Sequence, residues 1–316
     1  MDEADAVIDR GKREGWYDDD RKIAPNNDHE LAIPVVDPPP DLSVRPDDDP
    51  DVRTRGLADV LRKRGYCEAV IAAAPQSWAV LGTIVLARFD DTEHEQAIGE
   101  ALLDLHGNAD TVLATTGVTG AHRKPSVRVV AGAGDTETIH SEHGTVYAMD
   151  LATVMFSPGN VAERRHMGDV VTTGERIYDM FAGIGYFTLP MARAGAMVTA
   201  AERHPPAFRQ LLENVMLNDV ADRVDAYLTD CRELTPSVDR IVMGHFDART
   251  YLDTAVAAIS PGGMIHCHGV APTDEPWSEL EGAIAGAAAR MTVTGRRIVK
   301  SHSPGLEHVV VDAVVD

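Results

Sequence analysis

The sequence predicts an α/β fold, a doubly wound and mostly parallel sheet in the carboxyl half, behind a smaller α+β segment. Two observations predict it. From about Gly168 onward, short apolar runs of strand character alternate with helical patterns, an order that places helices on both faces of one sheet. Within that stretch, Arg176-Ile-Tyr-Asp-Met-Phe-Ala-Gly-Ile-Gly-Tyr-Phe-Thr-Leu-Pro190 carries an apolar strand into a glycine turn and then an apolar helix start. An acid, Glu202, follows about twenty residues on, after a second strand.

Taken in order, residues 1–36 suggest a small helix and then a strand over 31–36. Two Pro/Asp-rich runs, 37–41 and 45–51, bury no apolar surface and read as linker or surface loop. A short helix is expected over 57–64, and the β-branched run 78–89 reads as a strand. Ile98, Leu102 and Leu105 share one face of a helix over 94–105. Strands are expected at 111–114, 127–131 and 136–140, completing a small α+β platform. The alternating half then gives strands at 176–180, 197–201, 224–228, 240–243 and 263–268, with helices at 189–194, 206–218, 251–259 and 277–290 between and after them. Strands at 291–298 and 308–314 end the chain, and a hairpin of 293–301 with 308–315 around Ser303-Pro-Gly305 closes the sheet. Three parts result: 1–56 with its acidic Pro-rich linker, the α+β platform 57–167, and the sheet domain 168–316.

Gly183 and Gly185 let backbone approach a ligand, although a lone Gly-x-Gly also serves ordinary tight turns. The dinucleotide fingerprint needs a third glycine, and Tyr186-Phe187 stands in its place. A nucleoside without a pyrophosphate is therefore favoured, S-adenosylmethionine over a dinucleotide. Glu202 sits after a strand, where a carboxylate can accept both ribose hydroxyls; its bland alternative is a solvated acid. Asp230 follows another strand and is a candidate acceptor for the adenine amino group, with the Cys231 amide beside it.

The net charge of −21 repels nucleic acid phosphates at low salt. Either the partner is not nucleic acid, or the chain works where salt screens its own repulsion. Lysine is confined to Lys12, Lys22, Lys63, Lys124 and Lys300, while Asp, Ala and Val are abundant, a composition read as a halophilic surface. In molar salt the Debye length falls to about 3 Å, so an acidic coat costs little. Cys67, Cys231 and Cys267 lie far apart, which indicates neither a zinc site nor a disulfide framework. The acidic start and the absence of a long apolar run predict a cytoplasmic chain without signal peptide or membrane span.

Phe181-Ala-Gly-Ile-Gly-Tyr-Phe-Thr-Leu-Pro190, Leu211-Leu-Glu-Asn214 with Asn218, and Asp239-Arg-Ile-Val-Met243 resemble the archaeal and eukaryal enzymes that modify guanosine 37 of phenylalanine tRNA. Upstream, Trp78-Ala-Val-Leu-Gly82, Arg123-Lys-Pro-Ser-Val-Arg128, Thr136-Glu-Thr-Ile-His140 and Met155-Phe-Ser-Pro-Gly-Asn160 extend the resemblance from about Leu57 onward. It implies a class I S-adenosylmethionine-dependent methyltransferase (Rossmann-like) sheet and two branches of activity. One branch methylates N1 of guanosine 37. The other, the second enzyme of wybutosine synthesis, moves the 3-amino-3-carboxypropyl group of S-adenosylmethionine onto the tricyclic base 4-demethylwyosine. In the methylating branch the position of Gly159 resembles an arginine followed by an apolar residue, and an Asn-Leu-Pro-like run follows the fourth strand. This chain has Gly159-Asn160 and Met243-Gly-His-Phe246, and both departures point to the aminocarboxypropyl branch.

The implied site binds the donor through Ser157, Arg164, Phe181, Ala182, Gly183, Gly185, Tyr186, Glu202, Asp230, Cys231, Met243 and Gly244. Ser157 and Arg164 are candidates for the methionine carboxylate, which suits a forked guanidinium. Gly159 is read as room for the methionine chain to turn its γ-carbon toward the base. Asn160 is read as capping a helix with Glu163, and Asn160 and His245 are the candidate catalytic residues. An unperturbed imidazole titrates near neutrality, so His245 is a candidate base for the proton leaving carbon 7, with solvent as the alternative. His140 is read as structural; Arg123, Lys124 and Arg128 form a basic cluster, a solvated turn or a contact for tRNA phosphates. The sulfonium is already activated, so no metal is expected. The implied partner is the anticodon loop of tRNA, and the chain is expected to act as a monomer. The alternatives are guanosine-37 or tricyclic-base methylation, a catalytically silent RNA-binding scaffold, and a protein or small-molecule methyltransferase.

Overall fold

The computed structural model describes residues 2–27, 30–37, 39–47, 51–89, 92–119, 124–287 and 290–316. They form two compact units that meet in sequence between Ala74 and Pro75. In the first unit, helix α1 (Asp2–Glu14) is followed by the antiparallel pair β1 (Ala24–Asn27) and β2 (Glu30–Ala32). The strand expected over 31–36 is thus shorter. Pro34 has no N–H to give a ladder, and beyond it only an isolated bridge joins Val35 to Tyr17. Helices α2 (Leu57–Lys63) and α3 (Glu68–Ala73) complete the unit, the second of them not foreseen.

The second unit opens with β3 (Trp78–Leu81), β4 (Ile84–Ala87), α4 (Glu95–Leu105), β5 (Thr111–Thr119) and β6 (Lys124–Gly132), a sheet of order β3-β4-β5-β6. The single strand expected over 78–89 is a hairpin, because the chain reverses between Leu81 and Ile84. Helix α4 crosses over between the parallel strands β4 and β5 and buries Ile98 and Leu102. A second hairpin, β7 (Glu137–Glu142) and β8 (Thr145–Asp150), follows; its second arm was not foreseen.

The alternating half contains α5 (Val161–Val170), β9 (Arg176–Asp179), α6 (Thr188–Arg193), β10 (Met197–Glu202), α7 (Pro205–Leu217), β11 (Val224–Leu228) and β12 (Val238–Met243). It ends with α8 (Leu252–Ala258), β13 (Ile259–Pro272), α9 (Ser278–Ala285), β14 (Met291–Ser303) and β15 (Leu306–Val315). These strands form one sheet of order β11-β10-β9-β12-β13-β15-β14. Strands β11 to β13 run parallel, and β15 is antiparallel to both of its neighbours. The closing hairpin is as the sequence predicts. Ile177, Tyr178, Ile241 and Val242 are fully buried, as expected of parallel strands covered on both faces. The strand order reverses between β9 and β12, and open α/β sheets bind ligands outside the carboxyl ends of strands at such a switch point.

The platform and the sheet share a core. Leu81, Ile84 and Leu113 belong to the same buried cluster as Tyr147, Ile177 and Leu189. Two amides of α7 carry the β7–β8 hairpin. Asn214 Oδ1 accepts from Ala148 N at 2.7 Å while its Nδ2 donates to Ala148 O at 3.0 Å. One turn on, Asn218 repeats the pattern on Val146, at 2.9 and 2.7 Å. The helix thus satisfies the free edge of β8 as a neighbouring strand would.

Candidate active site

The cavity sits at that switch point. It has a volume of about 370 Å³, within the range of small-molecule sites. Asp179, the last residue of β9 and the chain neighbour of the cavity-lining Met180, is fully buried, and the sequence reading passed over it. Its carboxylate accepts from the Thr188 hydroxyl at 2.7 Å and from Phe181 N at 3.3 Å, bracing both ends of the glycine turn. Burial pushes this acid up to about 6, with those two hydrogen bonds pulling against the rise.

Gly183 lines the cavity with φ +57, and a Cβ there would stand 2.4 Å from the Tyr186 ring. The tyrosine lies against the turn, in the place a phosphate-binding loop keeps open with glycine. Its hydroxyl donates to Met155 O, tying the 155–157 loop to the turn. Glu202 ends β10 and accepts from Gly183 N at 2.8 Å and from His204 N at 2.6 Å. The carboxylate is therefore fixed at the lip of the cavity, with lone pairs to spare for a pair of hydroxyls.

Asp230 caps a short helical turn and is held bidentately by Arg232, at 2.8 and 2.7 Å. That guanidinium holds the acid down to about 2. Cys231 beside it is buried, and burial pushes its thiol up to about 12, so it offers backbone rather than a thiolate. Phe181 stacks on His245 with centroids 5.2 Å apart and meets Tyr251 edge-on at 5.0 Å. His245 Nδ1 accepts from Asp247 N at 3.1 Å, which leaves the proton of the neutral ring on Nε2. In this arrangement His245 is a donor, and the base role read from sequence would require that bond to break. Gly244 also lines the cavity; a Cβ there would meet the Phe187 ring at 2.7 Å.

Ala182, Gly185 and Met243 stand apart from the other expected residues. They do not line the cavity: Ala182 and Met243 are wholly buried in the core beneath it. Asn160 lines the cavity but makes no side-chain cap on α5; its Oδ1 faces the Ser157 hydroxyl at 3.4 Å. The expected capping partner, Glu163, is turned away into the protein, where Arg297 Nε and Nη2 donate to it at 2.8 and 2.6 Å. Arg164 reaches the cavity wall, yet its fork closes on Glu142 at 2.6 and 2.7 Å, and its Nη1 donates to Ser157 O at 3.0 Å. Its charge is largely spent inside the protein. His140 is a structural partner of the same carboxylate, 3.2 Å away. Of the basic cluster, Arg123 and the Lys124 side chain lie outside the described residues, and Arg128 pairs with Glu95.

Sequence reasoning missed the far wall, made by Lys300, His302 and His308 from the closing hairpin with His268 from β13. His268 Nδ1 and His308 Nε2 lie 3.0 Å apart, and burial pushes both imidazoles down to about 3, so both are neutral. Nothing in a one-dimensional pattern separates these residues from a solvated hairpin.

The TRM5/TYW2 methyltransferase domain model matches residues 138–291, and the TYW2 N-terminal domain model matches residues 57–136. A tRNA(Phe) (4-demethylwyosine(37)-C(7)) aminocarboxypropyltransferase of Pyrococcus horikoshii is 34% identical over 275 residues, 83% of this chain and 98% of the relative. The chain belongs to the TRM5/TYW2 family. Pyrococcus horikoshii TYW2 in complex with MeSAdo matches the fold with a TM-score of 0.70 at 31% identity, over 82% of this chain and 97% of that one. Trm5b of Pyrococcus abyssi matches with a TM-score of 0.80 at 28% identity, over 100% of this chain and 97% of that one. The α/β sheet with an amino-terminal domain is thus the architecture of S-adenosylmethionine-dependent TRM5/TYW2 enzymes.

Proposed function

We propose that the chain transfers the 3-amino-3-carboxypropyl group of S-adenosylmethionine to carbon 7 of 4-demethylwyosine at position 37 of phenylalanine tRNA, releasing methylthioadenosine. The observation that carries this reading is the near-complete coverage of the aminocarboxypropyltransferase relative, 98% of its length. The TYW2-type amino-terminal domain over residues 57–136 supports the same branch. We further read the α+β platform, residues 57–167, as the part that positions the anticodon loop, and the enzyme as a cytoplasmic monomer. Among the described residues, no helix is long and apolar enough to cross a membrane.

The cavity fits such a donor. When bound, S-adenosylmethionine supplies a sulfonium whose attached carbons are open to in-line displacement, and the protein decides which of them is presented. Glu202 takes the ribose hydroxyls, Asp230 and the Cys231 amide take the adenine edge, and Phe181 with its ring neighbours excludes water. His245, a donor at Nε2, holds the acceptor base by a hydrogen bond, and the proton displaced from carbon 7 passes to solvent.

The released nucleoside tests the reading. Chromatography of a reaction with tRNA carrying the tricyclic base is expected to give methylthioadenosine. S-adenosylhomocysteine instead would assign the chain to the methylating branch, and no product of either kind would leave a silent scaffold.

A further inference from the structure

The space above Gly159 is filled by another part of the protein. A Cβ built on Gly159 would stand 2.8 Å from Lys300 Cδ and 3.4 Å from its Nζ. The stem of Lys300 therefore lies over the glycine, and its ammonium donates to the Ser157 hydroxyl inside the cavity. The Ser157 hydroxyl lies in turn 3.4 Å from Asn160 Oδ1. This corrects the view that Gly159 makes room for the donor's own chain. The missing side chain lets Lys300 cross.

The neighbouring cation cannot serve equally. Arg164 is 3% exposed and already closed bidentately on Glu142, so a second carboxylate there would compete with a buried pair. Lys300 meets a neutral hydroxyl at the cavity surface, and an ammonium beside a hydroxyl is a fitting receptor for a carboxylate. It is also one of only five lysines in the chain.

We propose that Lys300, laid across Gly159 and anchored on Ser157, binds the α-carboxylate of the donor's methionine portion and so positions the aminocarboxypropyl chain. This deepens the assignment above and rests on S-adenosylmethionine being the ligand of this cavity.

Calorimetry in one fixed KCl concentration tests it with two uncharged-sulfur ligands. S-adenosylhomocysteine carries the carboxylate; methylthioadenosine does not. Lys300→Met is expected to weaken S-adenosylhomocysteine binding roughly 10- to 100-fold, the loss of one charge-assisted contact, and to leave methylthioadenosine binding unchanged. Lys300→Arg should recover part of the loss, which also guards against a local folding defect in Lys300→Met. Gly159→Ala should weaken the same ligand by displacing the lysine, and should add nothing when combined with Lys300→Met. Equal losses for both ligands, or no loss for either, would overturn the proposal alone. An unaltered protein that binds neither ligand would overturn the donor assignment together with it.

Discussion

Glu202 accepts the backbone N–H of Gly183 at 2.8 Å, so the acid ending β10 is locked to the glycine turn that follows β9. Two neighbouring strands thus build one receptor edge, and the carboxylate is oriented before any ligand arrives. Preorganisation of this kind lowers the cost of binding.

Replacing Glu202 with Ala is expected to weaken S-adenosylhomocysteine and methylthioadenosine alike, by roughly 10- to 100-fold, because both carry the ribose. Calorimetry with the two ligands checks this. A loss confined to S-adenosylhomocysteine would place Glu202 at the amino acid end instead.

Asp179 gives a pH prediction. Its ordinary value is 3.8 and burial pushes it up to about 6, so the folded chain holds this proton more tightly than the unfolded chain does. Stability from this group is present at low pH and declines as pH rises from about 4 through about 6, by roughly 3 kcal/mol in all. Asp179→Asn keeps an acceptor for Phe181 N and gains a donor for Thr188, and it removes the titration. The wild-type chain should therefore lose stability relative to Asp179→Asn between about pH 4 and about pH 7 in denaturant unfolding. A difference that stays flat over that window would contradict the account.

Behind the far wall runs a chain of ion pairs and hydrogen bonds. Glu163 meets Arg297, Arg297 meets Asp312, and Asp312 meets His266 at 2.6 Å; His266 then meets Arg240, which bonds Glu175 at 2.6 Å. This network fastens α5 to the closing hairpin. Although burial opposes it, the bonds from His266 and Arg297 hold Asp312 down to about 2. Its contribution is present above the ordinary value of 3.8 and is lost as pH falls toward 2. Arg297→Met takes the bidentate partner from buried Glu163 and one of two contacts from Asp312, and is expected to cost about 3–5 kcal/mol at neutral pH. A shift under about 1 kcal/mol in urea unfolding would show that the network is slack.

The acidic coat predicts dependence on salt. With a net charge of −21, self-repulsion reaches across the surface when the Debye length is about 30 Å, near 0.01 M salt, and collapses when it is about 3 Å, near 1 M. Circular dichroism should show native structure in molar KCl and its loss on dialysis to low salt. Equal spectra in both would remove the halophilic reading.

The sheet was legible because its strands are apolar runs that alternate with amphipathic helices, and Glu202 because it ends such a run. The β3–β4 hairpin was not, since Trp78 to Ala87 is apolar throughout and only the turn at Gly82 and Thr83 divides it. The Asn214 and Asn218 motif was visible as a resemblance, but its physical role appears only when α7 lies beside β8. Arg164 reads as a free cation in one dimension because Glu142 is 22 residues away. Lys300 lies 143 residues from Ser157, and only the fold brings them together.

The most direct test uses S-adenosylmethionine labelled separately in its methyl and its aminocarboxypropyl carbons, with phenylalanine tRNA carrying 4-demethylwyosine, in high KCl. The account predicts aminocarboxypropyl label in the tRNA and methyl label in released methylthioadenosine. Methyl label in the tRNA, with S-adenosylhomocysteine released, would contradict it.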